Sequence, residues 1–272
     1  MRIRFRFAKL GKIRFTSQRD VARMWERALR RAALPLAYTE GFSPRPQLSF
    51  GLALPTGCES LAEYLDVVLD EARAETAGVE LAALPAQLSA LLPQGIDVEA
   101  AALVDRRDGS LQQQVTSCSW TMWLGGMDAG ALAERVAALL AAPSVPITRE
   151  RKGRQEQDDL RPSVLGLAVD PGPSGAPVGT PVAVLAELGC QPRGVRPIEL
   201  VRGLIAVAGH PAGDGVEGAS AGGGRGAGVP VLDRACRTQQ WIERDGRREE
   251  PLVYRGATTG ADRAVHALER AS

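Results

Sequence analysis

The chain has 272 residues, 44% apolar and 24% charged, enough to bury the core of one large domain or two small ones. Its 33 Lys and Arg against 32 Asp and Glu leave a formal charge of +1, and no apolar run approaches the ~20 residues of a membrane span. Two histidines, four scattered cysteines and 4% aromatic residues leave little material for histidine acid–base chemistry, a zinc or disulfide framework, or extensive base stacking.

In chain order, Arg2 to Phe7 alternates basic and apolar residues and predicts a strand with one apolar and one basic face. This start lacks a signal-peptide apolar core, so the expected location is cytoplasmic, with no membrane partner. Lys9 to Lys12 reads as a turn and Ile13 to Phe15 as renewed extended chain. Ser17 and Asp20 stand at capping-box spacing and predict a helix from Gln18. On that helix Val21, Met24, Trp25, Ala28, Leu29 and Ala32 share one face, while Arg19, Arg23, Arg27 and Arg30 line the other. Pro35 ends the helix and Leu36 to Tyr38 reads as a short strand. The loop Gly41-Phe42-Ser43-Pro44-Arg45-Pro46 follows, stiffened by two prolines, with Gly41 suited to a positive φ. Strands are expected at Gln47 to Leu54 and Ala62 to Leu69, a helix at Leu81 to Leu92, and a strand at Ile96 to Val104. With the extra strand set aside, this order is the split βαβ pattern, β-α-β-β-α-β, of a ferredoxin-like half.

Residues 105–113 read as a linker, and a second pass of similar order follows. It has a strand at Val115 to Leu124, a helix at Ala129 to Leu140 and a strand at Val145 to Arg149. A charged turn is expected at Arg151 to Asp159, strands at Leu160 to Val169 and Val182 to Glu187, and a helix at Pro197 to Val207. The expected fold is therefore α+β: a basic ferredoxin-like half at 1–104, a second at 114–207, and a Gly-rich, mostly flexible tail at 208–272. Within the tail, Val231 to Glu243 is expected as a short last element.

The net charge conceals a polarised chain. Residues 1–50 hold twelve Lys and Arg against three Asp and Glu, a net of +9, and the remainder carries −8. Such asymmetry points towards a polyanionic partner, and the planar fork of arginine suits phosphate. The predicted nucleic-acid contacts are Arg14, Arg19, Arg23, Arg27, Arg30, Arg31 and Arg45, with Gly41, Phe42, Ser43, Pro44 and Pro46 as a rigid loop edge. The bland alternative is a solvated helix face, with Glu26 pairing Arg30 at i+4. No phosphate-binding glycine loop, nucleophile elbow or metal-ligand spacing is present, so no cofactor or metal is expected. No CxxxCxxC triplet occurs, so iron–sulfur radical chemistry would have to lie on another polypeptide. Weak catalytic candidates are Tyr38 and Asp20, although Asp20 serves equally as part of a helix cap; Tyr64 suits a core position and Ser43 a turn.

The segment RFTSQRDVARMWERALRRAALPLAYTEGFSPRPQLSFGLALPTGCESLAEYLDV, from Arg14 onward, resembles a radical-SAM-linked family of uncharacterised bacterial proteins, found beside or fused to cobalamin-type radical S-adenosylmethionine proteins. The likeness is densest from Arg14 to Asp66, with Leu160 to Pro162 and the helix after Arg196 resembling later landmarks. By position its motif falls on Arg14, Phe15, Ser17, Asp20, Arg23, Arg27, Arg30, Arg31, Pro35, Tyr38, Gly41, Phe42, Pro44, Pro46, Ser49, Pro55, Gly57, Glu59, Glu63, Tyr64 and Asp66. Where members read Ser-His-Leu-Asp, this chain has Ser17-Gln18-Arg19-Asp20, and glutamine does not titrate near neutral pH. The resemblance implies a radical SAM enzyme as partner and no established reaction. The expected function is a non-catalytic accessory or substrate-presenting module that binds RNA, either tRNA or rRNA, through the basic helix and loop and serves RNA modification. Two alternatives stand beside it: a metal-independent RNA-processing enzyme, and a purely protein-binding scaffold.

Overall fold

The structure, a computed structural model, describes residues 1–105, 109–151, 153–170, 172, 179–209 and 228–252. It is an α+β protein with a large, mostly antiparallel sheet and few helices. The described chain forms two compact units: one of Met1–Thr116 with the residues from Arg237 onward, the other of Ser117–Cys236.

The first unit opens with β1 (Arg2–Lys9), a 3-10 turn at Gly11–Phe15 and α1 (Gln18–Arg31). It continues through β2 (Leu48–Phe50), β3 (Glu59–Val68), α2 (Glu71–Ala77), α3 (Leu84–Ser89), β4 (Ile96–Leu103) and α4 (Leu111–Gln114). β1 lies between β3 and β4 and is antiparallel to both, with Phe5 opposite Leu65 on one side and Ala101 on the other. β2 pairs with β3, Leu48 opposite Val67. One face of this sheet presents Ile3, Phe5, Phe7, Leu65 and Val67 to Val21, Trp25 and Leu29 of α1. Trp25 fills the junction, its ring 5.7 Å from Phe5 and 5.0 Å from Phe7, distances at which tilted aromatic pairs attract.

α1 starts where its cap places it. Ser17 is extended, its Oγ accepts from the Asp20 amide at 3.2 Å, and its hydroxyl donates to the Asp20 carboxylate at 2.7 Å. That satisfies one of the amides a helix start leaves without a partner. Val21, Trp25, Ala28 and Leu29 are buried, as the apolar spacing requires.

In the second unit β5 (Val115–Gly125), whose first two residues belong to the first unit, precedes α5 (Ala129–Ala141) and the hairpin β6 (Pro146–Arg151) and β7 (Arg154–Asp159). β8 (Val164–Asp170), β9 (Val182–Gly189) and α6 (Pro197–Ala206) follow, with the antiparallel strand order β5-β9-β8. Leu132 and Leu139 of α5 and Leu200 and Leu204 of α6 are fully buried. Two further strands, β10 (Val231–Arg244) and β11 (Arg247–Glu249), close the described chain. From Arg237 on, β10 belongs to the first unit, where it neighbours β3.

Several expected elements differ. Ile13–Phe15 lies in a 3-10 turn, because the Thr16 amide donates back to the Ile13 carbonyl at 3.0 Å and the Lys9 ammonium holds the Thr16 carbonyl at 2.8 Å. Leu36 and Tyr38 make only isolated bridges, to Leu69 and Pro46. The expected helix at 81–92 is the six-residue α3 alone. The unexpected α2 precedes it, capped by Asp70 at its start and by left-handed Gly78 at its end. The charged turn at 151–159 is largely strand β7, whose polar residues pair across the hairpin: Gln157 donates to Thr148 at 2.9 Å. A strand polar on both faces carries no apolar alternation to be read. The expected linker at 105–113 includes α4, with Leu111 buried; 106–108 lie outside the described residues. The expected last element is β10, fourteen residues long. The Gly-rich stretch at 210–227, the terminus from 253, and both histidines, His210 and His266, also lie outside the described residues.

Candidate nucleic-acid interface

Beyond the half-buried Arg2, the basic face read from β1 does not reach the surface. Arg4, Arg6 and Lys9 are 1%, 4% and 3% exposed. Arg4 makes a bidentate pair with Asp66, at 2.7 and 2.9 Å, and donates to the Pro251 carbonyl at 3.2 Å. Arg6 pairs with Glu99 at 3.1 Å and Glu250 at 2.8 Å. On β3, Glu63 accepts from Arg237 of β10 at 2.6 Å, and the Tyr64 hydroxyl donates to Gln239 at 2.9 Å. Gln240 donates to the Ala62 carbonyl at 2.6 Å. This closed ladder ties β3 to β10, and ties β1 to the segment that follows β11. Burial lowers the Lys9 pKa against the opposing pull of Glu63 and Cys58, raises that of Tyr64, and pushes the Cys58 thiol up to about 11. Glu63, Tyr64 and Asp66 are thus framework groups, and three of the twelve charges behind the +9 are spent inside the unit.

Most of the basic charge that remains at the surface is carried by α1, Lys12 and Arg45 being the other exposed cations of residues 1–50. Arg19, Arg23, Arg27, Arg30 and Arg31 are all exposed. Residues four apart rise about 6 Å along a helix, so Arg19, Arg23 and Arg27 form an evenly spaced row. Arg23 lies 3.3 Å from Asp20 and Arg30 lies 3.4 Å from Glu26, exposed pairs that hold their charges only weakly. Five arginines against two carboxylates leave the helix strongly positive.

The start of this helix is pinned from inside the unit. The fully buried Glu59 accepts from the Gly11 amide at 2.7 Å and lies 3.5 Å from Arg14. The Gly57 amide donates to the Arg14 carbonyl at 2.9 Å. Arg14 is half-buried, and its guanidinium lies 4.6 Å above the Phe15 ring. Arg14, Phe15, Gly57 and Glu59 therefore meet in one place, although the sequence separates them by some forty residues.

The Gly-Phe-Ser-Pro-Arg-Pro loop is the tip of a narrow hairpin. The Thr39 amide donates to the Arg45 carbonyl at 2.9 Å, and the Arg45 amide returns to Thr39 Oγ1 at 3.1 Å. Below them the Gln47 amide donates to the Ala37 carbonyl at 2.9 Å, and the Ala37 amide to the Val68 carbonyl at 2.9 Å. Gly41 has φ +122, as the sequence anticipates. Pro46 is buried, while Arg45 and the tip from Glu40 to Pro44 are exposed. Phe42 is fully exposed, and Tyr38 and Phe15 are 44% and 63% exposed. The exposure of these three aromatics is not legible in the sequence, which places only Phe42 in a loop. No spacing signal distinguishes them, since exposure is decided by the fold around them.

No group of His, Cys, Asp and Glu among the described residues could hold a metal ion. Asp20 lies in the first turn of α1, where its carboxylate accepts from the Ser17 hydroxyl, and Tyr38 stands on the hairpin stem. An arginine row on a pinned helix and a hairpin with exposed aromatics mark an α+β protein with a cationic surface. The chain belongs to the family described as uncharacterized protein conserved in bacteria (DUF2344), whose model matches residues 2–197. A search of curated proteins found no match.

Proposed function

We propose that this protein is a non-catalytic accessory module that binds RNA through the α1 arginine row and presents it to a radical SAM partner. The observation that carries the reading is the exposed row Arg19, Arg23, Arg27, Arg30 and Arg31, held on a helix whose opposite face is locked into the core. Arginine forks at regular spacing suit phosphate oxygens, and backbone contacts of this kind position a nucleic acid without reading its sequence. The partner is supported by the resemblance of the segment from Arg14 to Asp66. Cluster chemistry would fall to that partner, because no cluster motif stands in this chain. In the first unit, the strand order β4-β1-β3-β2 with α1 across it supports the split βαβ reading of a ferredoxin-like fold. A cytoplasmic location fits such a role, and no helix among the described residues is long and apolar enough to cross a membrane.

The test is RNA crosslinking in cells, comparing the natural chain with Arg23→Glu/Arg27→Glu after its fold has been checked by circular dichroism. RNA recovered with the natural chain and lost with the variant supports the reading. Recovery of no RNA with either sinks it. In vitro, affinity falls steeply as salt rises, and the slope shrinks in the variant.

A further inference from the structure

We infer that the hairpin from Tyr38 to Pro46, which exposes Tyr38 and Phe42, is a stacking platform for unpaired bases, so that the ligand is single-stranded or looped RNA and not a duplex. This deepens the RNA reading above and rests on it. Among the described residues the exposed large apolar side chains are Phe15, Tyr38, Phe42 and three leucines, so every aromatic in that group falls within 28 residues of one another. A single exposed apolar residue is ordinary. Aromatics interleaved with arginines are the composition that single-strand binding uses, with rings for bases and guanidinium groups for the backbone. Arg45 sits in the same hairpin as Tyr38 and Phe42.

The hairpin is also pre-organised. Its two Thr39–Arg45 hydrogen bonds and the prolines at 44 and 46 fix the tip, so Phe42 is held in solvent before any ligand arrives and loses little freedom on binding. An aromatic ring held this way has no face to stack on in a duplex, whose bases are already stacked and whose major groove in RNA is too narrow for side chains. Splayed bases of a loop or single strand offer such faces. An acidic protein surface would satisfy the arginines equally well but gives no reason for solvent-held rings.

The experiment uses the full chain and labelled RNA, a mixed-sequence single strand and the blunt duplex made from it, with binding followed by fluorescence anisotropy at two salt concentrations. The single strand binds more tightly than the duplex. Phe42→Ala weakens single-strand binding roughly tenfold, the effect of losing one stacked base, and leaves the salt slope unchanged. Phe42→Trp restores affinity, and its added fluorescence is quenched on binding, a signature that a merely structural role would not produce. If Phe42→Ala binds the single strand normally while Arg23→Glu/Arg27→Glu does not, the platform falls and the RNA reading stands. If the natural chain binds neither RNA, both fall. Polyglutamate binding that is as tight as RNA and equally sensitive to Phe42→Ala would make the hairpin a protein-docking surface and overturn the platform.

Discussion

Asp159 carries a clear pH signature. Its carboxylate accepts from the Val145 amide at 2.8 Å and the Arg161 amide at 3.0 Å, and the Val145 bond is the main cause that holds its pKa below the usual value. Because the folded value is lowered, the stabilisation is fully present above the ordinary aspartate pKa of about 3.9. It is lost as pH falls through the folded value. Urea midpoints measured from neutral pH down to about pH 3 should therefore fall more steeply for the natural chain than for Asp159→Asn below about pH 4. Parallel curves would contradict this. The cysteines make a second case: Cys58, Cys118, Cys190 and Cys236 are free and buried, and burial has pushed Cys58 to about 11. A thiolate is the reactive form, so at pH 8 the folded protein should show no fast-reacting thiol, and denaturation should release all four. Their wide spacing in the sequence argues against a zinc or disulfide framework. Nothing in their spacing revealed that Cys118 and Cys190 lie 3.5 Å apart, a proximity made by the β5–β9 pairing.

Among the elements, those that bury one stripe were legible and those that do not were missed. α1, α5 and α6 each combine a start signal with apolar residues at helical spacing, and all begin where the sequence places them. α2 buries only Ala74, so its Asp70 and Gly78 caps were the sole signals and no stripe accompanied them. β10 reads from sequence as a short element only, because the run Arg237-Thr238-Gln239-Gln240 lacks the apolar alternation of a half-buried strand. Its partners are polar residues far away in sequence, and Arg237 and Gln239 mean little until Glu63 and Tyr64 face them. The interface was legible to the same degree: the arginine row follows from helical period, whereas the inward turn of Arg4 and Arg6 depends on what covers β1. Removing one partner of a buried pair strands the other, at a cost of about 3–5 kcal/mol. Arg237→Met should lose that much in a denaturant titration, and Glu63→Met/Arg237→Met should recover part of it. A single variant costing less than about 1 kcal/mol would mean the pair is effectively solvated. The cap predicts a smaller effect, about 1 kcal/mol for Ser17→Ala.

For the whole molecule, the first unit is built from both ends of the described chain. A chain ending at Val207 lacks Arg237, Gln239, Glu250 and Pro251, and leaves Arg4, Glu63 and Tyr64 without the partners that cover them. It should lose at least the ~3–5 kcal/mol of an orphaned buried charge. A chain ending at Leu252 keeps all four residues and serves as the reference. Calorimetry compares the two truncations, and equal midpoints would show that the first unit stands without its last strand. The same arrangement bears on how the protein is made. Glu63 and Arg237 are 174 positions apart, so at roughly 5–20 residues per second the ribosome needs about 10–35 s to deliver the arginine after the glutamate. During that interval the nascent β1 and β3 display an unfinished polar ladder and an open strand edge. The duration of this exposure is set by translation speed and not by the intrinsic folding rate, so slow codons in the second unit prolong the period in which that edge stays uncovered.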